Sequence, residues 1–140
     1  MIIYCAGPIR GDKQYQSFYE EIIMHVNSLG HTALSELNEK FRSAFPLSDT
    51  QIFKRDIKWM KSSDFIIAET TSASTGVGFE IAYALYKLKK PVLALCKNGE
   101  KSVSAMVSGC SSEILKVKYY SSSEEIKKII SLYINEKENI

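Results

Sequence analysis

Two histidines, three cysteines and three prolines are few for 140 residues, and each scarcity excludes something. Cys5, Cys96 and Cys110 are odd in number and show neither CxxC nor Cys/His ligand spacing, so neither a disulfide framework nor a zinc site is indicated and buried free thiols are expected. His25 and His31 lie six residues apart, share no helix face or partner motif, and read as structural or solvated. No run approaches the roughly 18 apolar residues of a membrane span, and the start MIIYCAGPIR lacks the basic region of a secretory signal, which points to the cytosol. A net charge of +2 gives no reason to expect a nucleic-acid polymer as partner. Prolines and glycines form no linker and no repeat appears, so residues 1–140 are read as a single domain.

What is present is alternation. Short apolar runs trade places with amphipathic stretches from end to end, the pattern of a parallel sheet with helices on both faces. Strands are expected at residues 1–6, 31–34, 64–69, 91–96 and 116–120. Helices are expected at 13–29, 49–63, 77–88 and 123–135, with a shorter one near 103–108. Gly30 reads as the C-terminal cap of the first helix and Asp49 as the N-cap of the second. Five parallel strands predict a doubly wound, flavodoxin-like order of 2-1-3-4-5. In such sheets ligands bind at the carboxyl ends where strand order reverses, here between the first and third strands.

Two distant stretches leave those strands, GPIRG at residues 7–11 and ETTSASTGVGFE at 69–80. In the first, glycines allow close backbone approach and the planar fork of Arg10 suits a phosphate or carboxylate. In the second, Ser72, Ser74 and Thr75 precede a helix start whose hydroxyls and free N–H groups favour an anion. No Gly-Lys-Ser/Thr follows and no complete GxGxxG is present, so nucleotide triphosphate hydrolysis and dinucleotide binding lose support. Asp56 falls on or beside the apolar stripe of Ile52, Phe53, Ile57 and Met60; it either bonds a basic or backbone partner or lines a cleft. Tyr4 sits two residues before the anion loop. Trp59 reads as a packing residue, and the lysines at 87–90 and 127–128 as solvated helix faces.

Two carboxylates near one phosphate loop, with no metal motif and no histidine, suit glycosidic-bond chemistry. One attacks the anomeric carbon while a protonated partner assists the leaving group. At the N-terminus of its helix, Glu80 is expected to stay ionised, whereas an inward Asp56 is expected to hold a proton toward neutrality.

Four blocks, IYCAGPIRG, RDIKWMKSSDFIIAE, STGVGFEIAYAL and SVSAMVSG, together with their order and spacing, make the chain resemble the 2'-deoxynucleoside 5'-phosphate N-hydrolases, relatives of the nucleoside 2-deoxyribosyltransferases. The resemblance runs over nearly the whole length. It implies cleavage of the N-glycosidic bond of a 2'-deoxynucleoside monophosphate, without cofactor or metal, through a covalent intermediate on Glu80. Asp56 falls on the second catalytic carboxylate and Tyr4 on the tyrosine that orients the nucleophile. Gly7, Ile9, Arg10, Ser74, Gly76 and Gly78 fall on the nucleotide pocket, with Arg10 and Ser74 at the phosphate. Ser104 and Met106 match residues that enter from a neighbouring subunit, which implies a homodimer. One departure is Pro8, where the N-hydrolases commonly carry a serine; it offers neither a hydroxyl nor an N–H. The AGP version also resembles some deoxyribosyltransferases, which pass the sugar to a second base. A nucleotide sensor without turnover is the third reading, though a passive anion pocket gains nothing from added carboxylates.

Overall fold

The computed structural model describes residues 1–10, 13–99 and 103–140, so Gly11, the end of the GPIRG loop, lies outside the described residues. Five strands, β1 (Ile2–Ala6), β2 (Thr32–Leu34), β3 (Phe65–Glu69), β4 (Val92–Lys97) and β5 (Leu115–Tyr120), form one all-parallel sheet in the order β2-β1-β3-β4-β5. Helices α1 (Gln16–Ser28), α2 (Asp49–Ser62), α3 (Thr75–Ala82), α4 (Ala105–Ser108) and α5 (Ser123–Glu138) connect and cover it. This is the expected doubly wound arrangement.

The period-two alternation of the strands sorts the core into two layers. Ile3, Cys5, Phe65, Ile67, Leu93 and Leu95 face one side and pack with Tyr19 and Ile22 of α1 and Ile126 and Ile130 of α5. Tyr4, Ala6, Ile66, Ala68, Val92 and Ala94 face the other and pack with Met60 of α2 and Val77 and Ile81 of α3. The register sets Ala6 opposite Ala68 and Ala68 opposite Ala94. A row of methyl groups therefore crosses the second face near the carboxyl ends of the strands. That leaves room under α2 and α3 for the larger Tyr4 side chain and the groups it meets.

Several local expectations change. The N-cap of α2 is Ser48, not Asp49: its Oγ accepts from Gln51 N–H while the Gln51 side chain accepts from Ser48 N–H, a reciprocal capping box. Asp49 is instead the first helical residue. Helix α3 begins at Thr75, two residues earlier than expected, and passes at Tyr83–Leu88 into a wider π-helical segment. Lys90 is no solvated cation, because its ammonium donates to the carbonyls of Met60, Lys61 and Ser63 and so satisfies the end of α2. Gly30 does end α1, with φ of 84°. Both histidines are structural, His25 bonding Ser131 and His31 meeting the N-terminus and Glu138. Cys5 and Cys96 are buried free thiols, whereas Cys110 is half-exposed.

Candidate active site

Helices α2 and α3 present one carboxyl each to a cavity of about 400 Å³ beside the carboxyl ends of β1 and β3. Asp56 and Glu80 line it together with Ile52, Phe53, Ile57 and Met60 from α2, and Thr75, Gly76 and Phe79 from α3. The apolar stripe of α2 thus turns toward the cavity rather than into solid core, which explains why only Met60 of that stripe is fully buried. Tyr4, on β1, lies close enough to both carboxyls to feel the charge of each. Burial, reinforced by the charges of Glu80 and Asp56, pushes the Tyr4 phenol well above its ordinary range, so it keeps its proton.

The dyad is electrostatically asymmetric. Burial raises Asp56, but the hydrogen bond and charge of Arg55 oppose the rise. Glu80 is pushed up to about 8, first by burial and then by the negative charge of Asp56. Two carboxyls in one poorly hydrated cavity do not both ionise, and at neutral pH the proton rests on Glu80. This reverses the expected order. Glu80 lies in the second turn of α3, beyond the first-turn reach of the helix dipole, and Asp56 has a cation in contact where Glu80 has none among the described residues.

The remaining expected residues divide. Arg10 stands at the cavity edge, 71% exposed, with its Nη1 donating to Asp49 Oδ1 at 3.0 Å. Gly76 lines the same cavity. Ser74, Gly78, Ser104 and Met106 line a larger neighbouring cavity of about 730 Å³ between α3 and α4, and Thr75 borders both. Ser74 caps α3 by accepting from Val77 N–H at 3.3 Å, and Ser104 caps α4 by accepting from Met106 N–H at 3.2 Å. Gly7 and Ile9 line neither cavity. A Cβ on Gly7 would fall 2.1 Å from the Tyr19 ring, so that glycine is explained by packing, and Ile9 packs against the α1 and α5 layer.

A sequence profile of the family described as Nucleoside 2-deoxyribosyltransferase matches residues 3–130. The chain belongs to the nucleoside 2-deoxyribosyltransferase family. A 5-hydroxymethyl-dUMP N-hydrolase of Esox lucius is 35% identical over 139 residues, covering 95% of each chain. A Syntrophotalea carbinolica protein, provisionally named 2'-deoxynucleoside 5'-phosphate N-hydrolase 1, is 37% identical over 127 residues, covering 89% of this chain and 88% of its own. In fold alone the chain is similar to a CMP N-glycosidase of Clostridium botulinum, with a TM-score of 0.68 at 19% identity over 94% of this chain and 98% of that one.

Two residues of this family member were not visible as site residues in its sequence. Arg55 donates from Nε to Asp56 Oδ1 at 2.9 Å and from Nη2 to Glu36 Oε2 at 2.8 Å, and its guanidinium lies 4.6 Å from the centre of the Trp59 ring. Glu36 follows β2, whose end borders the same crevice because β2 pairs with β1. The available signals were the basic neighbour of Asp56 and an acidic residue just past a strand end. Trp59 itself packs, edge-on to Phe41, as its sequence context suggested.

On the opposite face of the sheet, Glu69 is fully buried, with Thr71 N–H donating to Oε1 at 2.6 Å and the Tyr120 hydroxyl donating to Oε2 at 2.5 Å. The Thr71 hydroxyl accepts from Lys97 N–H at 2.8 Å, and Thr70 donates to Leu95 O at 3.0 Å. These bonds fix the start of the loop that leads to Ser74 and α3.

Proposed function

We propose that this protein hydrolyses the N-glycosidic bond of 2'-deoxynucleoside 5'-monophosphates, releasing free base and 2-deoxyribose 5-phosphate. The observation that carries the reading is the meeting of Asp56 and Glu80 at one apolar-walled cavity, with the Arg10 guanidinium at its edge and Tyr4 close enough to feel both carboxyls. The names of the relatives support the substrate class. In this reading Glu80 attacks C1' as the C1'–N bond breaks, and Asp56 delivers a proton to the departing base. Water then attacks C1' from the opened side, Asp56 takes its proton, and the Glu80–C1' bond breaks to regenerate the site. Tyr4 holds Glu80 throughout. Arg10 and the hydroxyl-rich start of α3 receive the 5'-phosphate.

We also take the enzyme to be a homodimer in which Ser104 and Met106 complete the neighbouring site. Met106 is 85% exposed at the edge of the larger cavity, and covering it with a second copy removes that apolar surface from water. Sedimentation at twice the 15.8 kDa chain mass tests this.

The Arg10–Asp49 pair favours a second reading. A phosphate arriving at Arg10 meets the Asp49 carboxylate, and Pro8 offers no donor in compensation, whereas an unphosphorylated deoxynucleoside meets no such repulsion. The chain would then be a deoxyribosyltransferase. Product analysis decides: deoxyribose 5-phosphate from dGMP supports the hydrolase, and deoxyadenosine from deoxyguanosine plus adenine supports the transferase. Base release that survives Glu80→Ala overturns both.

A further inference from the structure

Two acids that share a desolvated cavity need something to break their symmetry. Of the groups facing the dyad, Tyr4 on β1 feels the charge of both carboxyls, and Glu36 after β2 adds negative charge to the site. Arg10 and Asp49 neutralise each other at the cavity edge. Arg55 on α2 is different, because of the two acids it contacts only Asp56, with Nε and Nη2 each 2.9 Å from Oδ1. Its guanidinium is held by Glu36 at 2.8 Å and by the Trp59 face, and its side chain is only 17% exposed. An exposed ion pair contributes little and wanders. Arg55 is clamped on three sides, which keeps its charge on one oxygen of Asp56 and out of the cavity.

We infer that Arg55, clamped by Glu36, is a positioning residue that fixes the Asp56 carboxylate and decides which member of the Asp56–Glu80 dyad carries the proton. The inference rests on the proposed reaction for its meaning, not for its test. In the empty site the proton stays on Glu80, which cannot attack in that form. When substrate enters, the proton of Glu80 moves to Asp56 across the cavity they share. No proton is gained or lost; the site then holds an ionised nucleophile and a protonated acid. The positive charge of Arg55 makes protonated Asp56 the stronger acid, which favours delivery of that proton to the departing base. Glu36 has a matching task. Without it, Arg55 is free to swing toward Glu80 or toward the substrate phosphate, and either contact works against attack.

Carboxyl-carbon NMR titration of the isotopically labelled protein without substrate tests this directly. In the wild type Asp56 titrates at lower pH than Glu80. Arg55→Met, of similar length and able to cover Trp59, raises the Asp56 midpoint by about one unit or more. Arg55→Lys keeps the charge but loses the fork, and raises it by less. Circular dichroism establishes which variants fold; if Arg55→Met does not, the Arg55→Lys midpoint carries the test. An Asp56 midpoint unchanged in the folded variants overturns the inference. Because these midpoints need no turnover, an absence of base release from wild-type protein sinks the proposed function and leaves this result standing. Where turnover is present, Arg55→Met lowers kcat more than it alters KM and displaces the pH–rate profile, which a merely structural arginine does not do.

Discussion

Glu69, buried, and Glu80, half-buried, lie near the carboxyl ends of the same sheet, and they differ in what their oxygens meet. Glu69 lies on the α1 and α5 side, where each oxygen already has a donor, Thr71 N–H on one and the Tyr120 hydroxyl on the other. Glu80 lies on the α2 and α3 side against an open cavity, with one tyrosine and a competing carboxylate for company. Both are held above the ordinary carboxyl range by burial. The comparison teaches that burial of an acid does not mark chemistry. Spare capacity does: a carboxyl with its lone pairs filled by the fold is a brace, and one facing empty space beside a second acid is equipped to react.

The largest effect that can break this contrast is on turnover. Glu80→Ala should lower base release by at least about a thousandfold while leaving the melting curve nearly unchanged, since it removes the proposed nucleophile and, near neutral pH, only an uncharged carboxyl. Glu69→Ala should do the opposite. It strands Thr71 N–H and the Tyr120 hydroxyl inside the protein and should cost on the order of 3 kcal/mol of stability, with activity per folded molecule retained. Chromatographic product analysis beside thermal melting reads both. Activity lost at Glu69 and kept at Glu80 inverts the assignment.

The tyrosines sharpen the same comparison at smaller scale. Tyr4→Phe deprives the dyad of its shared hydroxyl and is expected to lower kcat by roughly 10–100-fold with little change in KM. Tyr120→Phe leaves Glu69 Oε2 without its donor and should cost about 1–3 kcal/mol with kcat preserved. An equal loss of kcat in the two variants would mean that the opposite face of the sheet also serves the reaction.

Stability against pH separates the carboxyls again. Folded Glu80 keeps its proton up to about pH 8, whereas in the unfolded chain it ionises near 4.5. Between those values the folded state binds the extra proton, so the unfolding free energy falls as pH rises, and the loss is complete above about 8. Glu80→Gln should remove that slope and stabilise the protein at pH 8.5 by about 1–3 kcal/mol. Denaturant unfolding at pH 5 and pH 8.5 measures it. A wild type more stable at the higher pH contradicts the protonated state assigned to Glu80.

Much of this was legible because strands alternate. The sheet order followed from five apolar runs separated by helix-sized stretches, and the approach of residues 7–11 to residues 69–80 followed from placing the ends of β1 and β3 side by side, whereas Asp56 and Tyr4 joined Glu80 only through the family resemblance. The ionisation order was not legible, because it depends on where Glu80 falls along α3 and on the contact between Arg55 and Asp56, both properties of assembled helices. Glu36 was missed for a related reason: its strand borders the crevice only once β2 is known to pair with β1. The division of Arg10 and Ser74 between two cavities depends on how the start of α3 stands between them, which no spacing rule encodes.

The smallest expected effect concerns why glycines remain in the first turn of α3. A Cβ on Gly76 meets nothing closer than the Ser74 hydroxyl at 4.0 Å, and one on Gly78 meets nothing within that distance. Neither has the positive φ that calls for glycine. The fold therefore has no use for them, and helical glycine costs about 0.5–1 kcal/mol relative to alanine. Gly76→Ala and Gly78→Ala should each raise stability by about that amount. Gly76 borders the cavity of the dyad, so its new methyl group should intrude on ligand space and raise KM for the monophosphate, with kcat less affected. If Gly76→Ala is more stable and binds equally well, the open face of that turn is not where the nucleotide lies, and the phosphate belongs on the Ser74 side of α3.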